Sequence, residues 1–155
     1  VRAMPNTPAI VGRAVTGIAA GERATDWAIE TTVQLFETVG KTLVLEESRI
    51  DALSTISGSG PAYVFYLIEQ LTAAAKHHGF NDQDAALLVN ETFLGAAELL
   101  LASGKSPEAL RKQVTSPNGT TERAIARMAE TDLESMFIEA TDAALARARE
   151  LAAGK

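Results

Sequence analysis

The sequence predicts a mainly α chain preceded by a short mixed segment of strands and one helix. Two observations carry this. From Ala62 on, apolar residues recur at helical spacing in long runs, each bracketed by helix start and stop residues. Ahead of Glu47, short β-rich runs broken by glycine stand beside a single helical stretch. The expected division is residues 1–46 and residues 47–155.

Taken in order, Ala9-Ile10-Val11 and Ala14 to Ala19 read as strands. Thr25 or Asp26 caps a helix carrying Trp27, Ile29, Val33, Leu35 and Phe36, which Gly40 ends. Lys41 to Leu45 reads as a third strand. From Glu47 onward the expectation is helical. Residues 62–78 are apolar on nearly every face, with Glu69 and Gln70 the main exceptions before Lys76. A helix that is apolar all round has to be buried on all sides. A chain of 155 residues can hardly surround it alone, so a second subunit is the expected cover.

Asn81 caps the next helix, with Ala86, Leu87, Val89, Phe93, Leu94, Ala97 and Leu100 along it and Gly104 at its end. Ser106-Pro107-Glu108 starts a short helix by the N-cap and N1 preferences. Thr120 and Thr121 open another. Thr131-Asp132-Leu133-Glu134 reads as a capping box for the last helix, which shows Met136, Phe137, Ala140 and Ala144 on one face. Small residues at Ala73 to Ala75, Ala96, Ala97, Ala143 and Ala144 permit close helix contacts.

Composition narrows the function classes. The net charge is −6 and the basic residues are scattered, which argues against a nucleic-acid surface. Without cysteine there is no disulfide frame and no thiolate metal site. No signal-peptide pattern opens the chain, and no apolar run reads as membrane-spanning, so a cytoplasmic location without membrane contact is expected. The opening Val1-Arg2-Ala3-Met4 lacks an initiating Met and reads like the interior of a longer protein.

Two stretches carry candidate chemistry. Thr115-Ser116-Pro117-Asn118-Gly119-Thr120-Thr121 is a turn-forming run between helical patterns. Pro117 fixes one backbone angle, and Asn118 and Gly119 tolerate left-handed geometry. Such a turn leaves backbone N–H groups facing outward at the positive end of a helix dipole, beside two hydroxyls, and so offers an anion site. The plainer reading is an ordinary helix connection with an N-cap. Ser57-Gly58-Ser59-Gly60-Pro61-Ala62-Tyr63 is the second stretch. It fails the dinucleotide-loop test, because Tyr63 stands where the third glycine belongs and no strong apolar strand precedes it.

Together with Met4-Pro5-Asn6-Thr7-Pro8 and Ile50-Asp51-Ala52, these two stretches, in this order and spacing, resemble the pyrroline-5-carboxylate reductase family along nearly the whole chain. One departure is visible: the family usually reads S-P-G-G before the threonines, and Asn118 replaces the first glycine here. The resemblance implies a helical dimerisation domain of the 6-phosphogluconate dehydrogenase C-terminal type over residues 47–155. It makes residues 1–46 the end of a Rossmann-type nucleotide-binding domain whose core would lie before Val1. It implies reduction of 1-pyrroline-5-carboxylate to proline with NADPH or NADH, in a homodimer or in a decamer built as a pentamer of dimers. Gly119, Thr120 and Thr121 would hold the substrate carboxylate, with Thr121 also catalytic and Glu47 beside the substrate. Met4, Asn6, Thr7, Ser59, Gly60, Pro61 and Gln113 would line the cofactor. The 155 residues alone are expected to be inactive, because no glycine-rich phosphate loop is among them.

Other residues read more plainly. His77 and His78 point about 100° apart on a helix and do not share a metal easily. Asp51 either caps the turn that follows it or orients a ligand, and the cap is the preferred reading. Two rival functions stand beside the reductase. One is a non-catalytic helical dimerisation module. The other is the helical domain of a related 2-hydroxy-acid dehydrogenase, which would need a lysine early on the long helix, and Lys76 lies too far along.

Overall fold

The structure is a computed structural model that describes residues 1–154. By its internal contacts the chain forms two compact units: Val1–Val64 together with the stretch from Ile138 on, and Phe65–Phe137.

In the first unit, strands β1 (Arg2–Met4), β2 (Ala14–Ala19) and β3 (Gly40–Val44) form one sheet in the order β1-β2-β3. β1 runs antiparallel to β2, with Met4 opposite Gly17, and β3 runs parallel to β2, with Ala14 opposite Gly40. The parallel pair requires a crossover, and helix α1 (Asp26–Glu37) supplies it. Thr25 caps α1 by accepting the Ala28 N–H at 3.2 Å. β2 is the buried centre: Ala14, Thr16, Ile18 and Ala19 are all buried.

The expected strand at Ala9 to Val11 is instead part of a 3-10 turn over Thr7–Val11. Pro8 has no N–H for a ladder, and Gly12 reverses the chain at φ 69°. The Gly12 and Arg13 N–H groups donate back to Ala9 and Pro8 carbonyls, which closes the turn.

A second 3-10 turn, Glu47–Arg49, leads without a break into α2 (Ile50–Leu53) and a π-helical turn over Ser54–Gly58. Asp51 therefore sits inside a helix, not at a cap; the continuous run leaves no free helix start there to cap. Leu53 lies against β2, so close that a side chain on Gly17 would meet its Cδ1 at 2.8 Å. Ile50 is fully buried.

The remaining helices are α3 (Gly60–His77), α4 (Asp82–Ser103), α5 (Pro107–Gln113), α6 (Thr120–Ala129) and α7 (Leu133–Ala152). Asn81 caps α4 through the Asp84 N–H at 2.9 Å, and Gly104 ends it at φ 62°. Ser106 caps α5 through the Ala109 N–H. At α7 the capping box is displaced by one residue. Asp132, not Thr131, accepts the Ser135 N–H, while the Thr131 hydroxyl turns back to the Met128 carbonyl. The Ser135 hydroxyl and amide hold the Asp132 pKa below its ordinary value. Lys76 does the same to Asp82, by hydrogen bond and by charge.

Little of the apolar helix surface is covered within this chain. No residue of α3 is buried, and in α4 only Ala85 and Val89 are. Phe65 and Tyr66 on α3 are each 61% exposed, and Leu101 on α4 is 68% exposed. The chain exposes 11380 Å², against about 7,500 Å² expected for a folded monomer of its mass by the surface–mass scaling. α4 is also long and apolar enough to cross a membrane by length and composition, contrary to the sequence expectation.

Gly40 offers a direct test of the sheet. A Cβ there would stand 2.2 Å from the Ala14 carbonyl oxygen and 2.5 Å from its nitrogen, and neither backbone atom can yield. Gly40→Ala should cost about 3 kcal/mol or more. Gly21→Ala, where nothing lies within 4 Å, should stay within about 0.5 kcal/mol of the parent. Urea unfolding of both variants checks the contrast.

Candidate functional site

The turn between α5 and α6 is built entirely within the second unit. Asn118 adopts φ 59°, the left-handed geometry that asparagine and glycine tolerate best. Gly119 does not use its conformational freedom; its φ is −81°. It is required for space, because a Cβ would stand 2.5 Å from Ser116 Oγ and 2.9 Å from the Ser116 carbonyl oxygen.

Two of the N–H groups expected to face outward are already taken. The Gly119 N–H donates to the Ser116 carbonyl at 3.0 Å, and the Asn118 N–H donates to Glu122 Oε2 at 2.8 Å. The sequence reading missed this Glu122 clasp, although a glutamate four residues after the turn residue was the available signal. Gly119 is the N-cap and brings no side chain to the first turn of α6, so the cap leaves the Thr120 and Thr121 N–H groups to other acceptors. Thr120 is exposed. Thr121 is half-buried and forms part of the wall of an apolar cavity of about 600 Å³ between α4, α5 and α6, with Phe93, Val114 and Ile125. Gln113 ends α5 on the exposed side.

The first unit gathers a second group. Asn6 follows β1, and its carboxamide is engaged at both ends. Nδ2 donates to the Ser57 carbonyl at 2.8 Å, and Oδ1 accepts the Val15 N–H at 2.9 Å. The Met4 methyl reaches the same segment, 3.7 Å from where a Cβ of Gly58 would be. Ser59 closes the π turn by donating its N–H to the Ser54 carbonyl at 2.9 Å. Gly60 and Pro61 begin α3, and nothing lies within 4 Å of the position a Gly60 Cβ would take. Thr7 starts the neighbouring 3-10 turn and is exposed. Glu47 is half-exposed at the start of its own 3-10 turn, and its carboxylate pairs with the Arg2 guanidinium, a partner the sequence did not suggest.

The predicted residues thus form two clusters, one in each unit. Met4, Asn6, Thr7, Ser59, Gly60, Pro61 and Glu47 belong to the first; Gln113, Gly119, Thr120 and Thr121 belong to the second. Lys76 is paired with Asp82 at 2.8 Å near the end of α3, far along the helix from Pro61. Among the described residues no group of three or more His, Cys, Asp or Glu side chains gathers in the manner of a metal site.

Residues 47–151 match the family model described as pyrroline-5-carboxylate reductase dimerisation. The chain belongs to the pyrroline-5-carboxylate reductase family. It is 42% identical over 153 residues to the pyrroline-5-carboxylate reductase of Pseudomonas aeruginosa, covering 98% of this chain and 56% of that protein. It is 38% identical over 151 residues to pyrroline-5-carboxylate reductase 2 of Bacillus subtilis, covering 97% of this chain and 54% of that one. Among solved structures, the Coxiella burnetii pyrroline-5-carboxylate reductase superposes with a TM-score of 0.92 at 40% identity, over 97% of this chain and 56% of that chain. A Plasmodium falciparum pyrroline carboxylate reductase, solved with NADP bound, gives 0.86 at 26% identity, over 96% and 61%. The chain spans about half the length of the curated relatives it matches. Membership of the reductase family accounts for the mainly helical architecture and for the sheet ahead of it.

The geometry of the α5–α6 turn assigns different roles to its two special residues. Gly119→Ala should destabilise the fold by about 1–3 kcal/mol through the Ser116 clash. Asn118→Gly should fall within about 0.5 kcal/mol of the parent, since glycine adopts the same φ freely. Equal losses in thermal melts of the two variants would refute the steric account.

Proposed function

We propose that the whole protein reduces 1-pyrroline-5-carboxylate to L-proline with NADPH or NADH, and that the turn at Gly119, Thr120 and Thr121 holds the substrate carboxylate. The observation that carries this is the turn itself. It is locked by Asn118, Glu122 and Ser116, yet its cap leaves two first-turn amides and two hydroxyls uncommitted at a helix start. An oriented pair of amides at the positive end of a helix suits a carboxylate. The Thr121 hydroxyl, next to that point, is suited to hold a proton toward the ring nitrogen. Glu47 is the further acidic residue assigned to the substrate in this reading.

The nicotinamide end of the cofactor is assigned to Met4, Thr7, Ser59, Gly60 and Pro61, with Gln113 as a further contact. The fit rests on open backbone at Gly60 and on an apolar Met4 whose methyl reaches Gly58 in the preceding π turn, which suits the approach of a flat ring. A bound NAD(P)H supplies the hydride. The chain's part is to orient the imine ring and to exclude other geometries, which is catalysis largely by positioning.

The same reading makes the protein a homodimer, with a pentamer of dimers as the larger form, and places it in the cytoplasm without nucleic-acid or membrane partners. The uncovered apolar faces of α3 and α4 support the dimer. The 155 residues by themselves are proposed to lack activity.

In the full-length enzyme, Thr121→Ala should lower kcat/KM roughly 10- to 100-fold, the equivalent of one charge-assisted bond of about 1.5–3 kcal/mol. Thr121→Ser should keep most activity. If Thr121 served only the helix start, Ala would lower the melting temperature and spare turnover of the folded enzyme. Steady-state kinetics beside a melt separates the two.

A preparation of these 155 residues should scatter light as a dimer at micromolar concentration, with an interface above roughly 2,000 Å² in total. Calorimetric titration should show no micromolar NADPH binding to it. A stable folded monomer would refute the first expectation, and micromolar binding the second.

A further inference from the structure

We infer that Asn6 is a positioning residue for the nicotinamide end of the site and does not itself touch the cofactor. The inference rests on the functional reading above and replaces the direct contact expected of Asn6. Asn6 occupies the N-cap position of the Thr7–Val11 turn, where asparagine ordinarily accepts an N–H of its own first turn. Here it makes no such cap bond. It spends both ends of its carboxamide on distant segments, the Ser57 carbonyl 51 residues away and the Val15 N–H 9 residues away.

Only a carboxamide of this length donates at one end and accepts at the other. A carboxylate would set two oxygens against the Ser57 carbonyl, and a serine would not span the gap. The bridge ties three pieces together: the Met4–Thr7 turn, the start of β2, and the π turn that delivers Ser59, Gly60 and Pro61. The π turn is an irregular stretch between α2 and α3, so nothing in regular helix geometry holds it at a set distance from Met4. Asn6 sets that distance. The Met4 methyl near Gly58 is the steric stop on the same gap.

The test uses the full-length enzyme with NADPH as the probe. Asn6→Asp keeps the acceptor for Val15 and loses the donor to Ser57, and Asn6→Ala loses both. Each should weaken NADPH binding about tenfold by calorimetry, the equivalent of one lost neutral hydrogen bond. The KM for pyrroline-5-carboxylate should move less than about twofold, because Asn6 bonds Ser57 and Val15 and no residue of the carboxylate turn. Gly58→Ala presses on the same gap from the opposite side. Combined with Asn6→Ala, it should weaken binding no further than the worse single variant, the signature of one shared element. Lower melting temperatures with an unchanged NADPH Kd would overturn the inference and leave a merely structural role. Additive losses in the double variant would overturn it in favour of direct contact. A parent enzyme that does not reduce pyrroline-5-carboxylate with NAD(P)H would instead sink the functional reading, and this inference with it.

Discussion

The apolar surface of the long helices dominates this protein. α3 buries none of its residues within the chain, and α4 buries two small or medium ones. Yet α3 carries Tyr63, Phe65, Tyr66, Leu67 and Leu71, and α4 carries Phe93 and six leucines. At about 25 cal/mol per Å², a few thousand Å² of excess exposed surface amounts to tens of kcal/mol of unrealised stabilisation, far more than a domain's net stability. A chain of this composition holds such helices only against more protein. The family description of residues 47–151 as a dimerisation region agrees with that requirement. The same surplus is why α4 meets the length and hydropathy test for a membrane helix while lying inside a matched dimerisation region.

Against this shortage of covered core, the two loops proposed to hold substrate and cofactor are held by polar bonds. The α5–α6 turn is closed by Glu122 on the Asn118 N–H and by Ser116 on the Gly119 N–H. The Met4–Thr7 turn is tied to the π turn by Asn6. The Ser116 carbonyl and the short Asn6 side chain lose little conformational freedom when ordered; Glu122, a longer side chain, loses more. Each loop therefore keeps its form within its own unit. Glu122 also places a negative charge beside the proposed carboxylate site, so that site gains its attraction from oriented amides and not from net positive charge.

Much of this was legible in the residues. Helix starts at Thr25, Asn81 and Ser106 and the stop at Gly104 follow from short-range chemistry, since a cap is a bond between residues two or three apart. Ala9 to Val11 has the apolar run of a strand, but Pro8 beside it lacks the N–H that a ladder needs. Thr131 and Asp132 are equally good caps on paper, and only the path of the chain, with Asp132 at φ 45°, decides between them. Asp51 looked like a cap because the π turn that carries the helix past it has no sequence mark of its own.

By itself, the sequence determined the helical class, the order of the long helices, the family and the identity of the loop residues. All of these depend on local spacing or on motifs whose members are near neighbours. Only the tertiary structure decided which polar groups were already spent. It showed Asn6 committed to Ser57 and Val15, Glu47 paired with Arg2, and two of the turn's amides closed on themselves. It also showed that Gly119 is needed for room beside Ser116 and not for its backbone angle. Such facts depend on atoms brought together by the fold, and a hydrogen bond of 2.8 Å between residues 51 apart leaves no trace in their spacing.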